Sequence, residues 1–493
     1  MKIKQIFNIF ILAALALVTF SCDDFLDREP TNQGDSESAI QSLRDAEVAM
    51  NGIIRKMTSS SYYGRNFILY GDVKGGDLGI TSQGRGYDAL YTFNHDPSSN
   101  SYSGYWSQMY HCLVQVNNLL ANIDRIGESS YDQIKGEALT ARACIHFDLV
   151  RLYGQPYSMD KSAYGVPVVT RTYNADETMP ERSTVEQVYT QILSDLQDGA
   201  ALMSQSVKKG YFSYYANKAI EARVKLYKED YDGALKAAEE VMNSGKFSLY
   251  TNENWESSWA SEFGKESILE FAIYPDEADL GTSSLGFMLM RYKKKTGAAG
   301  WFMASDYFLE RLGQDKDDIR WSMMENDEIA DDKGIDRKGC CNKYSLGDKE
   351  GTTTAVNIKV IRLSEIYLIA AEAALLKSAP DKKKAADYLQ EIRKRSPNLE
   401  KATESNITLD MILDERSKEL FAEGHRFFDM MRCNKSITFC DEMIEPAVTI
   451  QHRPKTIDRT FYRTILPIDI DEINANPAID NQQNPGYPKS TND

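Results

Sequence analysis

Residues 215–245 read YANKAIEARVKLYKEDYDGALKAAEEVMNSG. Within them Ala216, Ala219, Ala222, Leu226 and Tyr227 are followed, after a short polar break, by Tyr231, Ala234, Ala237 and Ala238. Apolar residues three and four apart mark one face of a helix, so the spacing predicts two short helices, 215–227 and 232–244, stopped by Gly245. Small residues let two helices approach closely while the large ones fill the space between them, the packing logic of tetratricopeptide-type pairs. The same alternation returns at 362–377 and 382–395, with Ala370, Ala371, Ala373, Ala374, Ala385, Ala386 and Leu389. Ordinary helical hairpins also give alanine-rich seams, so the pattern points to repeats without requiring them.

Working outward, helical spacing covers 36–57, 106–126, 131–153 and 183–203. Gly154 is expected as a left-handed cap, and Ser183 or Thr184, with Glu186 nearby, as an N-cap. A last helix is expected over 409–432, where Glu415, Arg416, Glu419, Glu423, Arg426, Asp429 and Arg432 are spaced for ion pairs inside the helix. Three long excursions lack helical period: 59–105, rich in Gly, Ser, Tyr, Asn and Asp, then 249–300 and 331–357. Shorter irregular links fall around 154–182 and 433–463, and a tail rich in Pro, Asn and Asp runs from Leu466. The fold class is therefore mostly α with long loop excursions.

The N-terminus carries Lys2 and Lys4, an apolar run to Phe20, then Ser21 and Cys22, which is the layout of a signal peptide. The run is roughly 15 residues, short of the ~20 needed to span a bilayer. Cys22 after a small residue is a candidate for lipidation. Thr19 departs from the aliphatic residue usual there, and an ordinary secretory signal is the alternative. Loss of residues 1–21 takes the net charge from -16 to -18. An acidic body without a basic stripe does not suit nucleic acid, and the lysine triplets 293–295 and 382–384 read as solvated faces. Cys112, Cys144, Cys340, Cys341, Cys433 and Cys440 are too sparse for a disulfide framework, although Cys433 and Cys440 are close enough to pair. No nucleophile elbow, zinc-protease His pair, dinucleotide fingerprint or P-loop occurs. With 73 carboxylates, a pair resembling a glycosidase dyad arises by chance. Glu423, His425, Arg426 and Asp429 read as a structural ion-pair network; Asp315, Asp317 and Asp318 lack the glycine turn and distal Glu of a calcium loop. No cofactor, metal or catalytic centre is expected.

Four stretches resemble the SusD/RagB family of outer-membrane nutrient-binding lipoproteins of Bacteroidetes. These are Cys22–Asp23–Asp24–Phe25–Leu26–Asp27; Arg362 to Leu368 with Ala370–Ala371–Glu372–Ala373; Glu415–Arg416 through Glu419–Leu420 and Glu423–Gly424 to Arg432; and Leu466–Pro467–Ile468 leading to Asn476–Pro477 and Gln483–Asn484–Pro485–Gly486–Tyr487. The resemblance implies a SusD-like fold on tetratricopeptide-like pairs. It divides the chain into a signal peptide 1–21, a lipidated tether 22–35 and one domain 36–493, with a helical-repeat part to about 245 and a RagB/SusD part beyond. It also implies a surface glycan-binding lipoprotein, anchored through Cys22 in the outer membrane, that delivers oligosaccharide to a SusC-like TonB-dependent transporter.

Sugar binding asks for flat aromatic rings for the pyranose C–H faces and polar side chains for the hydroxyls. In the family such rings come from loops in the first two excursions. Tyr87, Tyr91 and Trp301 are the expected stacking platforms, with Tyr292 as a further ring and Arg85, Asp88 and Asn94 as hydroxyl partners. Trp106, Trp255, Trp259 and Trp321 are assigned to packing. The competing readings are an envelope scaffold that binds proteins, a relative that binds a non-carbohydrate nutrient such as peptide, and a glycosidase.

Overall fold

The computed structural model describes residues 40–489 apart from 85, 99–103, 175, 276–280, 291–299, 329–333, 335, 346–354 and 445–449. The leader, Cys22 and the tether lie outside the described residues. Helix α1 (Leu43–Met57) opens on a capping box in which Ser42 and Asp45 satisfy each other's backbone N–H groups. The expectation of a start near 36 reaches beyond the described residues. Next come α2 (Asn66–Val73), β1 (Leu78–Ile80), the short α3 (Asp88–Thr92), α4 (Gly104–Ile126), α5 (Asp132–Tyr153) and α6 (Val185–Leu202). Helix α6 starts at the expected Thr184, boxed with Gln187 rather than Glu186. Gly154 is extended, with φ -108° and ψ 158°, so it ends α5 without the left-handed turn expected of it.

The decisive stretch forms α7 (Tyr214–Tyr227) and α8 (Tyr231–Met242). Asp230 caps α8 by accepting from Gly233 N at 3.0 Å, and Gly245, at φ +66°, follows the helix. The second alanine-rich stretch forms α10 (Leu363–Leu376) and α11 (Lys382–Arg393), after β2 (Ser267–Phe271), β3 (Phe302–Ala304), α9 (Asp306–Leu312) and β4 (Ile358–Arg362). Helix α8 packs on α10, so the two pairs stack side by side although about 120 residues separate them. The seam alanines Ala216, Ala219, Ala222, Ala234, Ala238, Ala370, Ala371, Ala373, Ala374 and Ala385 are fully buried. Each lets its neighbour's backbone come near, and larger residues such as Leu226 and Leu389 fill what remains.

The charged stretch 409–432 is two helices, α12 (Leu409–Glu419) and α13 (Arg426–Arg432). Ala422 at φ +62° and Gly424 at φ +86° break it. Carbonyls that a continuous helix would use internally are taken by distant donors: Lys343 Nζ to Phe421 O at 2.8 Å, Tyr344 OH to Ala422 O at 2.9 Å, and Arg362 Nη2 to Glu419 O at 3.0 Å. The turn also lies directly on α2. A Cβ on Gly71 would sit 2.1 Å from the Gly424 carbonyl oxygen, and Gly424 N donates to Asp72 Oδ2 at 2.6 Å.

Ion pairs within these helices are limited to short-range ones such as Asp429–Arg432 and Glu415–Lys418, and most of the pairing runs between elements. Arg362, the last residue of β4, meets Glu423 at 2.8 Å, Glu266 at 3.1 Å and Glu419 at 3.3 Å. Lys343 shares Glu423 at 2.9 Å, Arg395 shares Glu266 at 3.2 Å, and Arg320 holds Glu415 at 2.7 Å and Asp318 at 2.6 Å. Arg416 and Arg432 flank Asp429 at 2.8 and 2.7 Å, with Glu372 on the far side of Arg432. All of these side chains are buried. Trp255 and Trp259, in T-shaped contact, cover the cluster, with the Arg395 guanidinium 4.6 Å from the Trp255 ring centre and the Lys343 ammonium 4.3 Å from that of Trp259. Trp106 is buried and Trp321 packs against the core.

Asp315 and Asp318 are engaged by Asn398, Arg320 and Ser396. Among the described residues no three His, Cys, Asp or Glu side chains are grouped to hold a metal ion. Cys433 and Cys440 are free thiols.

Two predictions follow from this network. Arg362→Ala takes a counter-charge from three buried carboxylates at once and is expected to cost about 3–5 kcal/mol of stability in urea unfolding. The second concerns pH. Burial alone would raise the Glu423 carboxyl, but Arg362 and Lys343 hold it down to about 2, against 4.5 unfolded. Glu365, Glu415, Asp318 and Asp429 are also lowered by their arginines, against the effect of burial. The unfolded chain therefore binds more protons, and stability falls as pH drops from about 4.5 toward 2. Burial raises Asp72 and Glu266, whose opposite contribution is complete once pH is below their unfolded values of 3.8 and 4.5. Melting temperatures across pH 7 to 2 should show a steep loss in the acid window.

Candidate functional site

The first two excursions meet at one small sheet. Strands β1 and β3 pair antiparallel, Leu78 opposite Ala304 and Ile80 opposite Phe302. The chain leaving β1 runs through a glycine-bearing loop to Tyr87 at the start of α3, and Trp301 stands immediately before β3. The ladder thus brings Tyr87 and Trp301 together at one end. Their ring centres are 5.0 Å apart with planes inclined 43°, and Tyr87 meets the buried Phe302 edge-on at 6.5 Å. Both rings are half-buried, each with a part left open to solvent.

Beneath Tyr87 lies Arg65, its guanidinium carbon 5.0 Å from the ring centre. Arg65 Nε donates to Asn66 Oδ1 at 2.8 Å, and no carboxylate among the described residues pairs with the guanidinium. Asp88 Oδ2 accepts from Gly84 N at 3.1 Å, which closes the loop before α3. Gly84 at φ +82° and Gly86 at φ +86° supply the backbone conformation this loop needs, with open space where a side chain would stand. Bent aromatic surface, a guanidinium and a carboxylate therefore converge on one loop edge.

The other expected residues divide. Asn94 is exposed but lies past the far end of α3 from Tyr87. Arg85 and Tyr292 lie outside the described residues. Tyr91 is no platform: it is 1% exposed, its hydroxyl donates to Asp441 Oδ1 at 2.9 Å, and its ring is enclosed by Phe439 and Arg453. The physical reason is that Asp441 and Arg453, paired at 2.7 Å, stand against the side where Tyr91 projects. Tyr62 and Tyr63, also in the first excursion, are buried with hydroxyls on Asp148. Arg65 was only one polar residue among several in that excursion, and nothing in its local sequence set it apart as the support for Tyr87.

The SusD family model matches residues 314–487. A second model, described as starch-binding and associating with the outer membrane, matches residues 24–227. A SusD superfamily protein from Bacteroides thetaiotaomicron is 32% identical and superposes with a TM-score of 0.84, covering 90% of this chain and 100% of that one.

The chain belongs to the SusD family.

A putative sugar binding protein from Bacteroides vulgatus is similar, at 31% identity and a TM-score of 0.81 over 92% of this chain and 100% of that one. SusD-like protein P38 of Formosa agariphila is 24% identical over 88% of this chain and 93% of its own length. The SusD family is a carbohydrate-binding class rather than a class of enzymes, and it is associated with the outer membrane. Its mostly helical fold is the one found here, with Arg362, helix α10 and the Glu423–Gly424 turn at the stretches that resemble it. Among the described residues no helix is long and apolar enough to cross a membrane.

The different burial of two tyrosines four residues apart makes a direct test. Tyr91→Ala is expected to cost about 3–5 kcal/mol in urea unfolding, as for other buried aromatic residues, and Tyr87→Ala less than half as much.

Proposed function

We propose that this protein is a lipid-anchored, cell-surface glycan-binding protein that captures oligosaccharide and hands it to a SusC-like TonB-dependent transporter in the outer membrane. The observation that carries the reading is the Tyr87–Trp301 pair, two half-open rings drawn from separate excursions and held 5.0 Å apart at the end of the β1–β3 ladder. A pyranose offers a C–H face to such a surface, and its hydroxyls take hydrogen bonds from groups at the rim. Asp88 supplies an acceptor beside the rings, and buried Arg65 supports Tyr87 from beneath. Arg85 and Tyr292 remain proposed members of the rim, and exposed Asn94 a contact farther along a bound chain. Cys22 carries the anchor, which keeps the binding domain beside its transporter. The family's carbohydrate-binding character supports the reading.

Calorimetry on the mature chain with a panel of oligosaccharides tests it. At least one glycan should bind, and Tyr87→Ala combined with Trp301→Ala should weaken it about tenfold or more, since each lost ring contact is worth about 0.5–1.5 kcal/mol. Tight binding of peptide with no binding of any glycan overturns the sugar assignment. In the native host, Cys22→Ala should move the protein from the membrane to the soluble fraction.

A further inference from the structure

The β1–β3 ladder has a second end. Asp77 precedes β1 there and Ser305 follows β3, Ser305 N donating to Asp77 O at 2.8 Å. A cleft of about 400 Å³ opens at this end, within the ~300–1,000 Å³ of small-molecule sites. Gly75 and Gly76 line the cleft where they pack closely on Arg426 and Ile437. A Cβ on Gly75 would lie 2.7 Å from Arg426 Cβ, and one on Gly76, at φ +78°, 3.0 Å from Ile437 Cγ2. Half-buried Tyr307 on α9 supplies a ring, and exposed Ser436 and Thr438 supply hydroxyls.

The polar wall is built from Asp77, Arg311 and Arg426. Arg311 Nη1 donates to Asp77 Oδ1 at 3.0 Å and to Ser417 Oγ at 2.8 Å, while Ser417 donates to Asp77 Oδ2 at 2.6 Å. Arg311 also meets Asp414 at 3.2 Å. The Arg426 side chain is 9% exposed and donates through Nη1 to Leu413 O at 3.2 Å. Its Nε makes no hydrogen bond among the described residues, and the nearest carboxylate oxygen, Asp77 Oδ1, stands at 3.7 Å. A buried guanidinium donor short of an acceptor costs stability unless something completes it. Arg311 is neutralised by Asp77 and by the half-exposed Asp414 outside the cleft, and Arg426 stands 3.7 Å from Asp77, so the N–H donors of the wall suit the hydroxyls of a neutral ligand.

We propose that this cleft is a second carbohydrate subsite, taking one neutral sugar unit with its C–H face on Tyr307 and its hydroxyls on Arg311, Ser436 and Thr438. Three paired residues place it about 10 Å along the ladder from the Tyr87–Trp301 pair, so it is separate from that site. The inference rests on the reading above for its class of ligand.

The test is saturation-transfer NMR on the mature chain with methyl glycosides of glucose, galactose, mannose and xylose. The expected result is a glycoside still bound when Tyr87→Ala and Trp301→Ala are combined, with affinity falling about tenfold or more when Tyr307→Ala or Ser436→Trp is added. Ser436 is exposed, so the tryptophan fills the cleft without disturbing the core, and an unchanged melting temperature excludes unfolding as the cause. Binding abolished by the Tyr87 and Trp301 changes alone overturns the second subsite and leaves the proposed function standing. Binding indifferent to both cleft variants also overturns the subsite. Binding lost only with the cleft variants supports the subsite and overturns the Tyr87–Trp301 assignment. No glycoside bound by the unaltered chain overturns the subsite, and oligosaccharide calorimetry then judges the proposed function by itself.

Discussion

Arg362 holds three carboxylates whose side chains are almost wholly buried, and the arrangement of the C-terminal half depends on it. Burying one guanidinium among Glu266, Glu419 and Glu423 is expensive for each ion taken alone. The charges survive because each is met by more than one counter-charge and the remaining N–H groups find carbonyls, as Arg362 Nη2 does at Glu419 O. Glu266 precedes β2, Arg362 joins β4 to α10, and Glu419 and Glu423 bracket the turn between α12 and α13. One cation therefore sets the relative positions of a strand pair, a repeat helix and the broken helix. Removing one partner leaves the buried charges that remain short of compensation.

The ladder that carries the candidate site is tied to this frame. Asp77, one residue before β1, accepts from Arg311 and Ser417, and Asp72 holds the Gly424 turn against α2. The N-terminal excursion is thus pinned where it meets α12 and α13, and its free edge at Tyr87 projects beyond. Ligand-binding surfaces gain from this division, because a rigid base fixes the rings while the loop edge can vary in composition.

Much of this was legible in the chain. The alanine seams predicted both helix pairs, because the 3.6-residue period and the small-residue spacing are local properties. Tyr87 and Trp301 were also legible as candidate rings, since each stands in an excursion rich in polar and small residues. The division of 409–432 was not, because its apolar and charged periodicity continues through the break. Lys343, Tyr344 and Arg362, which take the carbonyls of the turn, lie about 60 to 80 residues away, and no local pattern announces them. Tyr91 failed for the same reason. It sits one helical turn from Tyr87, and only the distant Asp441, Phe439 and Arg453 decide that it is covered while Tyr87 stays open.

The sequence by itself determined the class of fold, the two repeat pairs, the acidic body and the family likeness, because periodicity, composition and short motifs are carried by residues near one another. The tertiary structure alone decided that the two pairs stack through α8 and α10, that Arg362 gathers three carboxylates, and that Tyr87 meets Trp301 more than 200 residues away. These are contacts across long separations, set by which buried charges and faces satisfy each other, and chain order does not encode them locally.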